Sequence, residues 1–248
     1  MYPQERQDEI LRILEKHQYV SVSYLLKKLH FSSATVNRDL NLLQKRGLIQ
    51  RSYGGVELVK DRSVPLEFRM HKQHHAKECI ARKAAEMVQD GDIVFIDGST
   101  TAQYMGPYLT DKERITVISN NLMLLSYLSD RGVECICLGG RILEAPSMTG
   151  SIDTVDMART YRADKAFFST GAVTDDGAVF CGGGYYDLHR VMIANSKEAV
   201  YLIDSEKLAH QPTKQLCDFG GVSAVISDHD FSHLRDTFPN TQLITVEL

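Results

Sequence analysis

The sequence predicts an α/β protein of two domains, in which a small domain of three helices and a hairpin precedes a larger open α/β domain with a mostly parallel sheet. Two patterns lead to this prediction. The first sixty residues carry three short amphipathic segments with helical spacing and then a Gly-Gly turn. From residue 91 onward, apolar runs of strand length alternate with helix-like segments, as expected for parallel strands that helices cover on both faces.

A hinge separates the two patterns. The segment "KDRSVPLEFRMHKQHH" carries a proline at position 65 and a run of charges, and it leads into a helix with small and apolar residues on one side. We therefore expect a first domain at residues 1–58, a linker at 59–75 and a second domain at 76–248.

The composition is that of a globular protein, since 43% of the 248 residues are apolar and 24% are charged. The longest apolar runs, such as "IVFI", are far too short to cross a bilayer, and the opening "MYPQERQDEI" is too polar for a signal peptide. We expect a cytoplasmic protein with reduced cysteines, because its five cysteines form no CxxC pair. The cluster of His71, His74 and His75 lacks a nearby acidic or thiol partner, so we expect no metal and no cofactor.

The charge is unevenly distributed along the chain. Residues 1–60 hold ten Lys and Arg against six Asp and Glu, a net charge of +4, whereas the remaining residues carry a net charge of −8. A basic segment attached to an acidic body is typical of a DNA-binding head.

The three helices of the small domain follow from apolar spacing and from capping residues. "RQDEILRILEKH" carries Ile10, Ile13 and Leu14 at helical spacing, and a second short helix is expected after Ser21. The third helix begins after Ser32 or Ser33, whose hydroxyl can accept the free amide hydrogens of its first turn; its buried stripe is Val36, Leu40 and Leu43.

After the third helix, "LIQRSYGGVELV" reads as two short strands around Gly54 and Gly55. Three short helices followed by a hairpin describe a winged helix-turn-helix, whose third helix enters the major groove of DNA. An alternative that the residues leave open is a helical protein-interaction module.

The candidate DNA contacts lie off the apolar stripe of the third helix and in the wing. Asn can pair bidentately with adenine and Arg with guanine, each worth about 1–3 kcal/mol of discrimination, while wing residues can hold the phosphate backbone. The predicted residues are Ser33, Thr35, Asn37 and Arg38 on the helix, and Arg51 and Tyr53 in the wing.

In the larger domain, the candidate ligand site lies just after the strands, because ligands of open parallel sheets bind beyond the carboxyl ends of the strands. The strand "DIVFID" runs into a Gly-Ser-Thr-Thr turn that offers backbone amides and hydroxyls to an anion, and "TTAQYMGPYL" is expected to continue as a helix. Lys207 would supply a cation, Asn120 an amide for a sugar hydroxyl and Asp97 an acceptor for another. The predicted site comprises Asp97, Gly98, Ser99, Thr100, Thr101, Asn120, Gly139, Gly140, Arg141, Gly171 and Lys207.

Two groups of motifs resemble one known family over the whole chain. "SSATVNRDLNLLQKRGLIQRSYGGVEL" is similar to the DNA-binding signature of the DeoR family of bacterial transcriptional regulators. "DGSTT", "ISNN", "LGGRIL", "RADKAFFSTGAVTDDGAV", "DLHRVMI" and "LIDSEKL" resemble its sensor domain in order and spacing. Five positions depart from the usual family pattern: Asn37, Tyr53, Asp187, His189 and Glu206.

The resemblance implies a repressor of a carbohydrate-utilisation operon, with a sensor domain similar to ribose-5-phosphate isomerase. It implies that Ser99, Thr100 and Thr101 grip the phosphate of a phosphorylated sugar, while Asn120, Gly140 and Lys207 line the site. The expected partners are double-stranded operator DNA, this effector and further copies of the chain in a dimer or tetramer, with no membrane.

An isomerase is the alternative that the turn itself leaves open. Such an enzyme needs a carboxylate base and a group that stabilises an enediolate, roles for which Asp97, Asp175, Asp204 and Lys207 are available. An isomerase has no use for a basic winged helix, however, so the sequence favours a sensor that is not an enzyme.

Overall fold

The computed structural model describes residues 3–17, 19–46, 48–52, 55–58, 73–143, 148–181, 185–209 and 214–248. The chain divides into two compact units, residues 1–72 and 73–248. Most of the predicted linker, with Pro65 and His71, lies outside the described residues.

The first unit contains three helices and a small antiparallel sheet, as the sequence predicts. The helices are α1 (Pro3–His17), α2 (Val22–Leu29) and α3 (Ser33–Lys45), and the strands are β1 (Tyr19–Ser21), β2 (Ile49–Ser52) and β3 (Gly55–Leu58), in the order β1-β3-β2. The hydroxyl of Ser32, one of the two predicted caps of α3, accepts a hydrogen bond from the amide of Thr35. The hydroxyl of Ser21 caps α2 in the same way, by accepting from the amide of Tyr24.

A buried ion pair lies within this unit, beside its apolar core. Asp39 of α3 is 1% exposed, and its carboxylate accepts hydrogen bonds from Arg6 Nε at 2.5 Å and from Arg6 Nη2 at 3.3 Å. Gln7 Nε2 donates to the same carboxylate at 3.2 Å. The pair therefore joins α1 to α3 next to the predicted stripe of Val36, Leu40 and Leu43, which is buried.

The second unit is built around seven parallel strands: β4 (Ile93–Ile96), β5 (Thr116–Ser119), β6 (Glu134–Cys137), β9 (Ala163–Phe168), β12 (Ser196–Ile203), β14 (Ala224–Ser227) and β15 (Gln242–Thr245). Their order across the sheet is β15-β14-β12-β9-β4-β5-β6. Strand β4 pairs in parallel with β9 on one side and with β5 on the other. The carboxyl ends of β9, β4 and β5 are therefore neighbours.

Helices cover both faces of this sheet. On one face lie α4 (His74–Glu86), the short α5 (Thr100–Gln103) and α6 (Gly106–Leu109), and α7 (Leu122–Ser129); on the other lie α8 (Ile152–Arg159) and α9 (Tyr185–Ala194). Side chains of β4 alternate between the two cores, with Val94 and Ile96 on the first face and Phe95 on the second. This arrangement is the predicted open α/β fold.

Two small antiparallel sheets flank the main one. One pairs β7 (Ile142–Leu143) with β8 (Met148–Thr149), and the other contains β10 (Ala172–Val173), β11 (Ala178–Phe180) and β13 (Gln215–Asp218). A 3₁₀ turn, Ser205–Ala209, follows β12. No helix among the described residues is long and apolar enough to span a membrane.

The segment "TTAQYMGPYL" differs from its prediction, since it forms two short helices and not one. Pro107 lies in the first turn of α6 and has no amide hydrogen to donate to a preceding turn. Before it, the amides of Tyr104 and Met105 donate to carbonyls three residues back, which is the tighter bonding of a helix end.

Candidate functional site

The loop after β4 is organised by a buried carboxylate. Asp97 is 1% exposed, and its Oδ1 accepts hydrogen bonds from the amide of Ser99 at 3.1 Å and from Ser99 Oγ at 2.5 Å. Its Oδ2 accepts from the amide of Ser169 at 3.3 Å and from His189 Nε2 at 3.0 Å. Both oxygens are thus engaged, so Asp97 fixes the loop and is not an open acceptor for a sugar hydroxyl.

The hydroxyl of Ser99 is also engaged within the loop. It donates to Asp97 and accepts from the amide of Ala102 at 3.2 Å, which caps α5. In the described part of the chain, no hydrogen bond uses the amide N–H of Gly98, Thr100 or Thr101. The loop therefore offers an anion its backbone amides more readily than the Ser99 hydroxyl.

A buried cation that the sequence reasoning missed lies at this loop. Lys77 on α4 is 4% exposed, and its Nζ donates to Thr100 Oγ1 at 3.3 Å. A signal was present in the sequence, because Lys77 precedes Ile80 and Ala81 by three and four residues and therefore shares their buried face. A buried ammonium next to unengaged amides forms a site that favours a negative charge.

The far side of the loop meets the end of β12. Thr101 Oγ1 donates to Asp204 Oδ2 at 3.3 Å, and both residues are buried. Lys207, in the 3₁₀ turn that follows, is half-buried, and its amide donates to the carbonyl of Asp204 at 2.9 Å. Its ammonium makes no hydrogen bond with the described residues, so the structure brings the backbone of Lys207, and not its charge, to the loop.

Two buried polar atoms on either side of the loop have no hydrogen-bond partner in the described structure. They are Oδ1 of Asn120, after β5, and Oγ of Ser169, after β9. Asn120 Nδ2 donates to the carbonyl of Thr149 at 2.7 Å, so the orientation of the amide is fixed while its oxygen stays unpaired. Because unpaired buried polar atoms are rare and costly, both atoms are candidates for ligand contacts.

The β7–β8 hairpin closes over the glycine of the loop. A Cβ placed on Gly98 would lie 2.6 Å from Met148 Sδ and 3.3 Å from Asn120 Nδ2. Position 98 therefore has no room for a side chain. Asn120, Met148 and Leu188 also line a small pocket together with the start of α8.

The remaining predicted residues either form the turn that packs against α8 or lie at the surface. Gly140 has φ +129°, and a Cβ there would lie 2.3 Å from Thr154 Oγ1, which itself donates to the carbonyl of Gly139 at 2.6 Å. Arg141 and Gly171 are exposed. Gly139 and Gly140 therefore allow the chain to pack closely against Thr154 at the start of α8.

His189, which departs from the family pattern, lies inside the site. It is 1% exposed, between Asp97 at 3.0 Å and Cys181 Sγ at 3.5 Å from Nδ1. Burial alone would lower its pKa, but the hydrogen bonds with Asp97 and Cys181 outweigh burial and raise the pKa of His189 to about 10. The imidazolium therefore balances the charge of Asp97.

The predicted DNA contacts of the first unit lie along the outward side of α3. Ser33 and Arg38 are exposed, while Thr35 is half-buried and its amide donates to the capping Ser32. Asn37 and Arg51 contact each other, with Arg51 Nη2 donating to Asn37 Oδ1 at 2.7 Å. Tyr53 lies outside the described residues.

The described residues contain no group of three or more His, Cys, Asp or Glu side chains that could hold a metal ion. In the histidine cluster, Nδ1 of His74 lies 3.7 Å from a carboxylate oxygen of Glu78, one helical turn away.

Comparison with known proteins identifies both units. Residues 6–62 match the model of the DeoR-like helix-turn-helix domain, and residues 72–229, more than half of the chain, match that of the DeoR C terminal sensor domain. The HTH-type transcriptional repressor GlcR of Bacillus subtilis is 29% identical over 231 residues, covering 92% of this chain and 89% of that protein. The Glycerol-3-phosphate regulon repressor of Escherichia coli is 28% identical over 233 residues, covering 90% of each.

Among solved structures, ribose 5 phosphate isomerase A from Neisseria gonorrhoeae aligns with 53% of this chain and 52% of its own, at 15% identity and a TM-score of 0.39. That likeness is weak, and the assignment does not depend on it. The two domain models and the full-length relatives show that the chain belongs to the DeoR family of DNA-binding transcriptional regulators.

Proposed function

We propose that this regulator represses a carbohydrate-utilisation operon and is controlled by a phosphorylated sugar that binds at the carboxyl edge of the seven-stranded sheet. The observation that carries the proposal is the loop after β4, where the amides of Gly98, Thr100 and Thr101 lie next to the buried ammonium of Lys77. Together they match the charge and the acceptor oxygens of a phosphate monoester.

The sugar part of the effector is proposed to lie between the ends of β5 and β9. Asn120 Oδ1 is an acceptor and Ser169 Oγ can donate or accept, so both can pair with hydroxyl groups. We propose that Lys207, whose backbone lies beside Asp204, turns its ammonium toward the bound effector and adds a second positive charge. The name of the Escherichia coli relative refers to a phosphorylated three-carbon compound, which is the kind of ligand that this arrangement suits.

Regulation would link this site to DNA through the chain between the two units. We propose an oligomer in the cytoplasm that presents two or more basic heads to repeated half-sites, since one head alone would bind weakly and with steep salt dependence. Ser33, Thr35, Arg38 and Tyr53 contact DNA in this proposal. Effector and DNA would then be coupled by about 1–3 kcal/mol through the linker at 59–75.

A sugar-phosphate isomerase is the alternative function. The compared relatives carry the names of repressors, not of enzymes, and they span nearly the whole chain. These names favour the proposal that the loop detects a phosphate and does not convert a substrate.

The test is fluorescence anisotropy of the full chain on labelled DNA from its own upstream region. Binding is titrated at fixed salt with a panel of sugar phosphates, with the matching free sugars and with inorganic phosphate. We expect one sugar phosphate to change the DNA affinity at least several-fold while its free sugar does not. Specific DNA binding that no phosphate alters would contradict the effector assignment, and turnover of a sugar phosphate would support the isomerase.

A further inference from the structure

The guanidinium of Arg51 is held against the outward side of the recognition helix. Although Arg51 belongs to wing strand β2, its Nη1 donates to Asn41 Oδ1 and its Nη2 donates to Asn37 Oδ1, both at 2.7 Å. Asn37 and Asn41 are one helical turn apart on α3. The charge of the wing residue is therefore located along the helix that enters the major groove.

Asn37 has little hydrogen-bonding capacity left for a base. Its Nδ2 donates to the carbonyl of Ser33 at 2.9 Å and lies 3.2 Å from Ser33 Oγ, and its Oδ1 accepts from Arg51. Bidentate pairing with adenine needs a donor and the acceptor of one amide at the same time. To read an adenine, Asn37 would have to release at least one of its two Nδ2 contacts with Ser33 and to use the one lone pair of Oδ1 that Arg51 leaves open.

Arg51, by contrast, keeps donors to spare. A guanidinium has five N–H groups, and the two asparagine oxygens engage one on each terminal nitrogen. The other N–H groups can form the paired contact with O6 and N7 of guanine, which is the commonest specific contact of arginine with DNA. The two asparagines also restrict the side chain before binding, which reduces the conformational entropy lost on contact with DNA.

We propose that Arg51 reads a guanine in the major groove and that Asn37 and Asn41 are positioning residues that hold its guanidinium in place. The roles expected from sequence are thereby exchanged, since the wing residue makes the base contact and the residue on the helix supports it. This inference depends on DNA binding by the head and not on the effector.

The test uses the full-length protein and a duplex library randomised over a central window. Sequences are selected from the library by four proteins: wild type, Arg51→Ala, Arg51→Lys and Asn37→Ala. Their base preferences are then compared position by position. We expect wild type to prefer guanine at one position of each half-site by about 5- to 150-fold, which is the range that a bidentate contact provides. Arg51→Ala loses that preference and keeps the others, and Arg51→Lys weakens it, because lysine retains the charge and can reach guanine but lacks the planar fork that the two asparagines hold.

The positioning role is tested by combining substitutions. If Asn37 acts through Arg51, Asn37→Ala weakens the same guanine preference, and Asn37→Ala with Arg51→Ala is no worse than Arg51→Ala alone. Arg38→Ala, on the same helix but outside this cluster, should leave that guanine preference intact.

Three results would overturn the proposal: no guanine preference in wild type, an equal loss of affinity for all sequences in Arg51→Ala, or loss of an adenine preference in Asn37→Ala that Arg51→Ala retains. The second result would identify Arg51 as a phosphate contact, which the slope of affinity against salt would show independently. Because Arg51→Lys keeps a long cationic side chain, it allows the same comparison if Arg51→Ala does not fold.

Discussion

The two units bury charged groups in different ways. In the DNA-binding unit, Arg6 and Asp39 form an ion pair beside the apolar core, and Gln7 adds a further hydrogen bond. The sensor unit also contains a buried ion pair, between Lys165 and Asp92. Its other buried charges include Asp97, His189 and Lys77, which surround the loop after β4 at one edge of the sheet, where the described residues leave backbone amides unengaged. The buried atoms without partners, among the residues described, both belong to that edge.

This difference separates groups whose contacts stabilise the fold from groups that we propose are available for a ligand. A fully paired buried network holds elements together, whereas an incompletely paired one costs stability and is retained where a ligand completes it. Substitutions in the Arg6–Asp39 network should therefore change stability. At the sheet edge, substitutions of Lys77 and Ser169 should mainly change ligand binding, whereas the fully engaged Asp97–His189 pair contributes to stability.

The largest effect is expected from Arg6→Ala. Removing this guanidinium leaves the carboxylate of Asp39 buried without its main partner, which should lower the free energy of unfolding of the head by about 3–5 kcal/mol. Urea denaturation followed by circular dichroism measures the change. Arg12→Ala is the control, because its bond to Glu9 is exposed and contributes about 0–1 kcal/mol at most. Equal losses of unfolding free energy in the two variants would show that the buried ion pair stabilises the head no more than the exposed one.

Lys77→Met should leave the fold intact and weaken the binding of the effector. If Lys77 contacts the phosphate, its loss removes a charged hydrogen bond, which corresponds to about a 10- to 150-fold lower affinity for the sugar phosphate. Calorimetric titration gives this ratio. Lys83→Met is the matched control on the same helix, since Lys83 is exposed and pairs with Glu86. Wild-type affinity in Lys77→Met, with a loss in Lys207→Ala, would move the phosphate contact to Lys207.

The His189–Asp97 pair should make the stability of the sensor unit depend on pH. The folded pKa of His189 is raised to about 10, above the ordinary value of about 6.5 in the unfolded chain. The stabilisation is complete below about pH 6.5 and is lost as pH rises toward 10, with a slope of up to about 1.4 kcal/mol per pH unit. Denaturation between pH 6.5 and 8 measures it.

His189→Gln should abolish most of this slope, whereas His229→Gln, at a half-exposed histidine paired with Asp175, should keep it. The range stops at pH 8 because burial raises the pKa of Cys217 to about 11, and that thiol adds a slope of the same sign in alkali. A slope unchanged by His189→Gln would show that folding does not raise the pKa of His189.

The smallest change in stability is expected from Ser169→Ala. Since its hydroxyl has no hydrogen-bond partner among the residues described, its removal should leave the stability unchanged or raise it by up to about 1 kcal/mol, while effector affinity falls. The neighbouring Thr170→Val is the control: Thr170 Oγ1 donates to the carbonyl of Phe180 at 2.5 Å, so its loss should cost about 1–2 kcal/mol. A thermal melt of each variant, with and without the sugar phosphate, distinguishes the two effects.

Patterns repeated along the chain predicted most of the fold. The spacing of Val36, Leu40 and Leu43 identified the buried side of α3, and Ser32 capped its start as expected. The alternation of strands and helices gave the parallel sheet, and the rule that ligands bind beyond the strand ends selected the loop at 97–101. Each of these signals is local or periodic, so it can be read without knowing which distant residues come together.

The individual hydrogen bonds could not be predicted in this way. Asp97 and Ser99 were expected to face a ligand, yet they bond to each other, and Lys77 approaches Thr100 from a helix 23 residues earlier in the sequence. Arg51 and Asn37 were expected to contact DNA separately, but they form one cluster across 14 residues. Such pairings depend on how helices and strands pack, which no short segment specifies.

The sequence by itself therefore determined the elements and the order of the two units, and it predicts the edge of the sheet at which we propose a ligand site, because periodicity, capping and turn chemistry act over a few residues. Only the tertiary structure decided which polar groups at that edge are already paired and which are open. That decision rests on distances of about 3 Å between residues far apart in the chain, since a hydrogen bond forms only when packing brings its donor and acceptor together.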